Sequence, residues 1–361
     1  MRSVSFLLLS CTLLFTVSSN AFDFRIGLAN IYFFGALFED NVKEPVFGNK
    51  LKEPVERLAE IESDRMNLEY LSRYFQYLDS DVLAICEAPK DPKLLEQFSK
   101  DYLNDEYLVI HSSPVVKNRK YYFNQQVAAF VKKDMFLVRR YESLKTEDVT
   151  TSNQMYPFPG SITGMMEDKK TRVYWSRFPI EFDLALKSDP DHWYKFIVTY
   201  PKSKFARGEK QSLKARFQNY MQQKMIRNRV EEVASDFEDI IVLGDMNDDS
   251  GLDSYEEKLG KDSIKALYQG EDDPILVNPI RFRSGEGTYI YKGNPSVLDY
   301  IFVSRGMLEG KGKLSYFPKT FEHFHFFKTM VRNTKRNRPD RLKNRELFLS
   351  DHAPLTLEVS H

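Results

Sequence analysis

Disulfide chemistry is almost missing from this sequence, which has two cysteines in 361 residues. Cys11 lies in an apolar N-terminal segment expected to be removed, leaving Cys86 alone inside an apolar run. No intramolecular disulfide is then available, so the fold must rest on its core. Cys86 is read as a small buried hydrophobe. Charge excess is missing too: Lys plus Arg and Asp plus Glu both number 52. Bulk charge therefore does not mark a nucleic-acid binder. There is no HExxH and no Cys/His cluster, which disfavours zinc. No internal repeat and no long Gly/Ser linker divides the chain.

Aromatic material is plentiful, with 28 Phe and 20 Tyr against 2 Trp, enough for a large core. The N-terminus has the layout of a secretory signal peptide over residues 1–21. Met1-Arg2 gives a positive start, Phe6 to Val17 is largely apolar, and Ser19-Asn20-Ala21 is a small-residue cleavage site. Leu8-Leu9-Ser10-Cys11 resembles a lipoprotein cleavage box. The apolar run continues past Cys11, so lipoprotein anchoring is not expected. The expected location is secreted or periplasmic, without stable membrane insertion. Residues 22–361 are expected to form one catalytic domain, because the chemically informative residues span its length.

Phe24–Tyr32, Val82–Pro89, Gln126–Val131, Arg172–Phe178 and Trp193–Tyr200 read as strands, with Ser188-Asp189-Pro190-Asp191 as a hairpin turn between the last two. Glu53–Leu78 reads as a helix. Gly208–Phe237 is expected to be the longest, burying Leu213, Phe217, Tyr220, Met221, Met225, Ile226, Val230 and Val233. Gly251–Arg283 reads as loop-rich. Thr288–Tyr291 and Val297–Val303 read as strands joined by the turn Lys292-Gly293-Asn294-Pro295. Residues 306–349 read as an elaborated loop, and Pro354–Val359 as the closing strand. Strand, helix, strand with apolar runs implies α/β layers.

The polar residues at strand ends are the informative ones. Ile240-Ile241-Val242-Leu243 runs into Gly244-Asp245-Met246-Asn247. A period of two turns Asp245 and Asn247 to one side, provided the extended geometry persists. Asn30, Glu87, Asp299 and the pair Asp351-His352 also sit at or inside apolar runs, where a polar group is costly unless paired or metal-bound. Asp299 needs a buried partner, and His352 is the natural one. A carboxylate holding an imidazole N–H fixes its tautomer and raises its basicity, which suits a general base. Singly, each of these residues has an ordinary structural reading. His111, His192, His323 and His325 lack such company and are read as structural.

In order and together, these motifs resemble the endonuclease/exonuclease/phosphatase superfamily with the DNase I-like fold. The resemblance rests on Asn30, Asp81-Val82-Leu83-Ala84-Ile85-Cys86-Glu87, Gly244-Asp245-Met246-Asn247, Leu298-Asp299-Tyr300-Ile301 and Ser350-Asp351-His352-Ala353-Pro354. Arg177-Phe178-Pro179 and Thr288-Tyr289-Ile290-Tyr291 look like minor family motifs. The resemblance implies an α/β four-layer sandwich of two packed mixed β-sheets flanked by helices, with the site at one rim. It implies that Glu87, with Asn30 beside it, holds Mg²⁺ or Mn²⁺, and that Asp351 sits near the metal. Asp245 would orient or deprotonate the attacking water, or help hold metal. Asn247 would donate to the phosphate. Asp299 would orient His352, which contacts the phosphate or acts as base. Where many relatives carry His-Leu-Lys-Ser-Lys, this chain reads Tyr200-Pro201-Lys202-Ser203-Lys204. The branch similar to exonuclease III has a tyrosine there, so Tyr200 joins the candidate site, against the alternative of simple core packing.

The implied activity is metal-dependent hydrolysis of phosphodiesters, with DNA or RNA as the first substrate reading. A lipid phosphodiesterase of sphingomyelinase type or a phosphomonoesterase is the alternative, and a non-catalytic binding protein a third. Retention of Glu87, Asp245, Asn247, Asp299 and His352 argues against the last. Arg332–Glu346 holds seven basic residues against two acids just before Asp351 and could track a nucleic-acid backbone. Phe321–Phe327 could be a membrane wedge, though core burial fits better.

Overall fold

Runs in which every residue is apolar must bury both faces of a strand, and two such runs become central strands here. The computed structural model describes residues 23–31, 68–69, 71–89, 91–112, 125–143, 155–270, 272–282, 286–291, 294–309, 315–316 and 352–359. The first sheet holds β1 (Phe24–Asn30), β2 (Val82–Ala88), β3 (Tyr107–His111), β4 (Gln126–Lys132), β15 (Ser315–Tyr316) and β16 (Leu355–Val359), in the order β15-β16-β1-β2-β4-β3. The second holds β5 (Phe136–Ser143), β8 (Ile180–Leu186), β9 (Asp189–Thr199), β10 (Asp239–Asp245), β11 (Leu276–Val277) and β14 (Asp299–Ser304), in the order β11-β14-β10-β9-β8-β5. β6 (Met155–Pro157) pairs with β7 (Lys170–Arg172), and β12 (Tyr289–Tyr291) with β13 (Asn294–Ser296). Both large sheets are mixed: β1 runs parallel to β2 and β9 to β10, while the other pairs are antiparallel.

Residue alternation assigns each layer its contacts. Ile26, Leu28, Val82, Ala84 and Cys86 meet Phe196, Val198, Ile241, Leu243 and Ile301 between the sheets. Ile85 and Phe130 turn outward to Leu71, Phe75, Leu78 and the helix α1 (Pro92–Tyr102) at Phe98. Ile240, Val242 and Phe302 turn outward to Met225, Ile226 and Val230 of the long helix α3 (Glu209–Val233). The result is helix, sheet, sheet, helix: the four-layer α/β sandwich expected. Each large apolar side chain so buried stabilises by about 1.5–3 kcal/mol before entropy is counted.

Several local expectations are corrected. Arg172–Phe178 is not a strand beyond β7. Val173 and Trp175 pack against the α3 layer, and Tyr174 O accepts from Gln218 Nε2 and Gln222 Nε2 instead of from a ladder. The hairpin joins β8 to β9, and its turn is shorter than expected, because Leu186 already pairs with Asp189. Asn294 and Pro295 belong to β13 and not to a turn. Gly251–Arg283 contains two short helices, α4 (Ser254–Leu259) and α5 (Ser263–Tyr268), besides α2 (Gly160–Thr163) and α6 (Arg305–Glu309) elsewhere. Asp253 and Glu256 form a capping box on α4, and Gly260 ends it in the left-handed region at φ 61°. On α3, Tyr220 and Met221 are only partly buried, whereas Gln218, Asn219, Gln222 and Gln223 are buried. The signal segment, most of Glu53–Leu78, Phe321–Phe327, Arg332–Glu346 and most of 306–349 lie outside the described residues.

Candidate active site

The strand register brings the polar strand ends to one rim. Asp245 of β10 pairs directly with Asp299 of β14, so two carboxylates sit side by side on neighbouring strands. Parallel pairing of Gly244 with Thr199 sets Tyr200 beside the end of β10. A Cβ on Gly244 would lie 1.8 Å from the Thr199 carbonyl oxygen, so this approach of backbones requires glycine. Across the sandwich, Asn30 pairs with Cys86 at the ends of β1 and β2.

Glu87 follows Cys86 at φ 64°, in the left-handed region. The β2–β4 register shifts at this point, between Cys86 and Ala88. Such a backbone costs about 1–3 kcal/mol for a non-glycine residue and persists where the surroundings over-determine it. The irregularity re-aims the side chain: Tyr200 donates its hydroxyl to Glu87 Oε1 over 2.8 Å. Tyr200 is buried, and its ring faces the Arg177 guanidinium at 3.6 Å. Burial pushes the Tyr200 hydroxyl pKa well up, so it remains a proton donor.

Both oxygens of Asp245 accept hydrogen bonds. Asn30 Nδ2 donates to Oδ2 over 2.9 Å, and the Asn247 backbone N–H donates to Oδ1 over 2.8 Å. Asn247 sits at φ 55°, so the strand stops at Asp245 and the extended geometry does not reach Asn247. A local turn, and not the strand period, brings the two together. The Asn247 side chain donates from Nδ2 to Pro201 O at 3.2 Å. Burial, and the charge of Asp299, raise the Asp245 pKa well above the usual carboxylate range, while His352 pulls it down.

His352 Nδ1 donates to Asp299 Oδ2 over 2.7 Å, both side chains being buried. This is the pairing expected from the residue types, and it leaves Nε2 as the proton-accepting nitrogen. Thr288 holds the pair from the loop side. Its Oγ1 accepts from the backbone N–H groups of Leu298 and Asp299, and its carbonyl accepts from Ala353 N. Tyr289 bridges to His352 and lays its ring 4.8 Å from the imidazole. Asp245, Asp299 and His352 each offer an atom within 4.8 Å of the others, a grouping that could hold a metal ion.

The rim thus gathers Asn30, Glu87, Tyr200, Asp245, Asn247, Asp299 and His352. Asp351 lies outside the described residues. His111 is spent on Pro89 O and His192 on Asp239, away from this group; His323 and His325 lie outside the described residues. Sequence reasoning missed Thr288, Arg177 and the Cys86 thiol as contributors. The first two were inside motifs already noted. Cys86 is a hydrophobe in its packing, but Asp245 N–H also donates to its Sγ at 3.4 Å, a contact no sequence pattern signals.

A family model described as Endonuclease/Exonuclease/phosphatase family matches residues 185–361, which include Tyr200, Asp245, Asn247, Asp299 and His352. No curated protein sequence matches the chain. Among solved structures, the fold is similar to that of ANGEL2, described as a 2',3'-cyclic phosphatase, with TM-score 0.52 at 16% identity, covering 93% of this chain and 94% of that one. It is also similar to the Xenopus laevis APE2 catalytic domain, with TM-score 0.50 at 14% identity, covering 93% and 91%. The chain thus has the DNase I-like fold, and its residues 185–361 match the Endonuclease/Exonuclease/phosphatase family model.

Proposed function

We propose that this protein is an exported, divalent-metal-dependent phosphodiesterase whose substrate is nucleic acid. The observation that carries the reading is the Asp245 carboxylate, held on both oxygens by Asn30 and Asn247, beside the buried Asp299–His352 pair. The residues present fit a divalent cation. Two buried carboxylates pair across adjacent strands, and Asp299 Oδ1 is buried with no hydrogen-bond partner among the described residues. Like charges so placed are stabilised by a cation. Glu87, with Asn30 and Asp351, is assigned to hold Mg²⁺ or Mn²⁺, with Asp245 close by. When bound, the ion neutralises charge on the phosphate oxygens.

The chain's own groups divide the remaining work. Asp245 orients the attacking water and takes its proton at a carboxylate oxygen, a role favoured by its raised proton affinity. Asn247 can donate an amide N–H to a phosphate oxygen. His352, oriented through Nδ1 by Asp299, presents Nε2 toward the phosphate. Tyr200 fixes the Glu87 carboxylate.

Nucleic acid is favoured over lipid by the seven basic residues of Arg332–Glu346, immediately before Asp351. The apolar N-terminal segment supports export. Among the described residues no helix is long and apolar enough to cross a membrane. Purified protein is expected to nick supercoiled plasmid with Mg²⁺ and to stop on addition of EDTA. Plasmid, sphingomyelin vesicles, 2',3'-cyclic nucleotides and simple phosphomonoesters are assayed in parallel. Preference for any of the last three overturns the substrate assignment, and EDTA-resistant turnover overturns the metal.

A further inference from the structure

The long helix α3 carries a second, polar buried face that an apolar stripe does not explain. Gln218, Asn219, Gln222 and Gln223 are at most 4% exposed. A buried amide is costly unless its donors and acceptors are bonded, so each should reveal what it holds. Asn219 Nδ2 donates to Lys202 O over 2.8 Å and to Met246 O over 2.9 Å. Lys202 lies two residues after Tyr200, and Met246 lies between Asp245 and Asn247. Gln222 accepts from Lys202 N over 2.6 Å and donates to Tyr174 O, while Gln223 donates to Met246 O at 3.3 Å. At their outer ends the same two segments are joined by the Lys204–Asp248 ion pair at 2.6 Å.

We propose that Asn219 is a positioning residue of the hydrolytic site, one buried amide that staples the Tyr200–Lys202 and Asp245–Asn247 segments together through its two N–H donors. The proposal rests on the hydrolytic reading above. Lys202 lies beyond β9 and Met246 one residue beyond β10, with the Met246 N–H still reaching Leu298 O over 2.7 Å. Past the Thr199–Gly244 pair, the spacing of the two segments is held by the groups that bond the Lys202 and Met246 carbonyls, together with the Asn247–Pro201 and Lys204–Asp248 contacts. That spacing places the Tyr200 hydroxyl, and with it Glu87, relative to Asp245 and Asn247. Pro201 O, midway along the first segment, already receives Asn247 Nδ2. A shift of the staple thus moves the phosphate donor and the metal-side carboxylate against each other. A misplacement of about 1 Å in such a constellation costs about 100-fold in rate.

The test compares full-length Asn219→Ala and Gln223→Met with wild type by segment-resolved hydrogen exchange without metal, then by kinetics with Mn²⁺. Asn219→Ala is expected to speed exchange in both 200–204 and 245–249. It is also expected to lower kcat about 10- to 100-fold, with KM and the Mn²⁺ half-saturation within about threefold. Gln223→Met keeps volume and removes only the hydrogen bond to Met246 O, so its exchange change is confined to 245–249, with a smaller kcat loss. Should Asn219→Ala not fold, Asn219→Leu, which keeps volume and lacks both N–H donors, takes its place. Wild-type exchange and kcat in the folded Asn219 variant, a chain-wide rise in exchange, or a shift of Mn²⁺ half-saturation in step with kcat overturns the proposal. If wild type hydrolyses no phosphoester, the hydrolytic reading fails on its own. The exchange pattern then still shows whether Asn219 holds both segments.

Discussion

The Tyr200 hydroxyl and the Glu87 carboxylate, 113 positions apart in sequence, meet in a 2.8 Å hydrogen bond. The contact requires the left-handed backbone of Glu87 at φ 64° and the position of Tyr200 just past β9. Tyr200→Phe keeps the ring against Arg177 and removes only the donor. Loss of the group that positions Glu87 should lower activity about 10- to 100-fold, and loss of a hydrogen bond worth about 1.5–3 kcal/mol should lower Tm by several degrees. Steady-state kinetics and a thermal melt measure both, and wild-type turnover would return Tyr200 to a packing role.

Asp299→Asn should be severe without unfolding the chain. The amide can occupy the same space but no longer stabilises a charged imidazole or demands a proton on His352 Nδ1. General acid–base contributions run to about 10²–10⁴-fold, and kcat is expected to drop within that range. Tm should move little, since the Thr288 contacts to the Asp299 backbone remain. A drop of less than about fivefold would show that His352 needs no orienting carboxylate.

Metal should stabilise the fold independently of catalysis. A ligand present at 100 times its dissociation constant adds about 2.7 kcal/mol. Saturating Mg²⁺ or Mn²⁺ is therefore expected to raise Tm by several degrees. Glu87→Gln should lose most of that rise while folding normally without metal. An equal rise in both proteins would remove Glu87 from the ligand set.

Behind the site, Glu256 hydrogen-bonds Asp248, and burial together with that neighbour raises its pKa from 4.5 to about 8. Between those values the folded protein keeps a proton that the unfolded chain releases. The linkage slope is then negative, and stability falls as pH rises from about 4.5 to about 8. Glu256→Gln keeps an acceptor for the Asp253 N–H and supplies a permanent donor for Asp248. Its melting temperature is expected to vary less over that interval and to exceed wild type at pH 8. Parallel slopes for the two proteins would refute the shared proton.

Much of this was readable from residue order. The apolar runs bounded by Asn30, Glu87, Asp245 and Asp299 determined the strands and marked the residues of the rim, because a buried strand bounded by a polar group must deliver it somewhere. Asp253 and Glu256 carried a capping-box signal that announces a helix inside Gly251–Arg283, and the loop-rich reading passed over it. Two other features had no local signal. The left-handed backbone at Glu87 depends on how β2 pairs with β4, and the buried amides of α3 have the composition of an exposed helix face. Hydrophobic period reports which side of an element faces the core. It does not report which backbone carbonyls of other segments will need a donor there. The sequence by itself therefore determined the fold class, the strands and the acids of the candidate site. The tertiary structure decided the spacing among them, since the Tyr200–Glu87 bond, the Asp245–Asp299 pairing and the Asn219 staple exist only once the two sheets have packed.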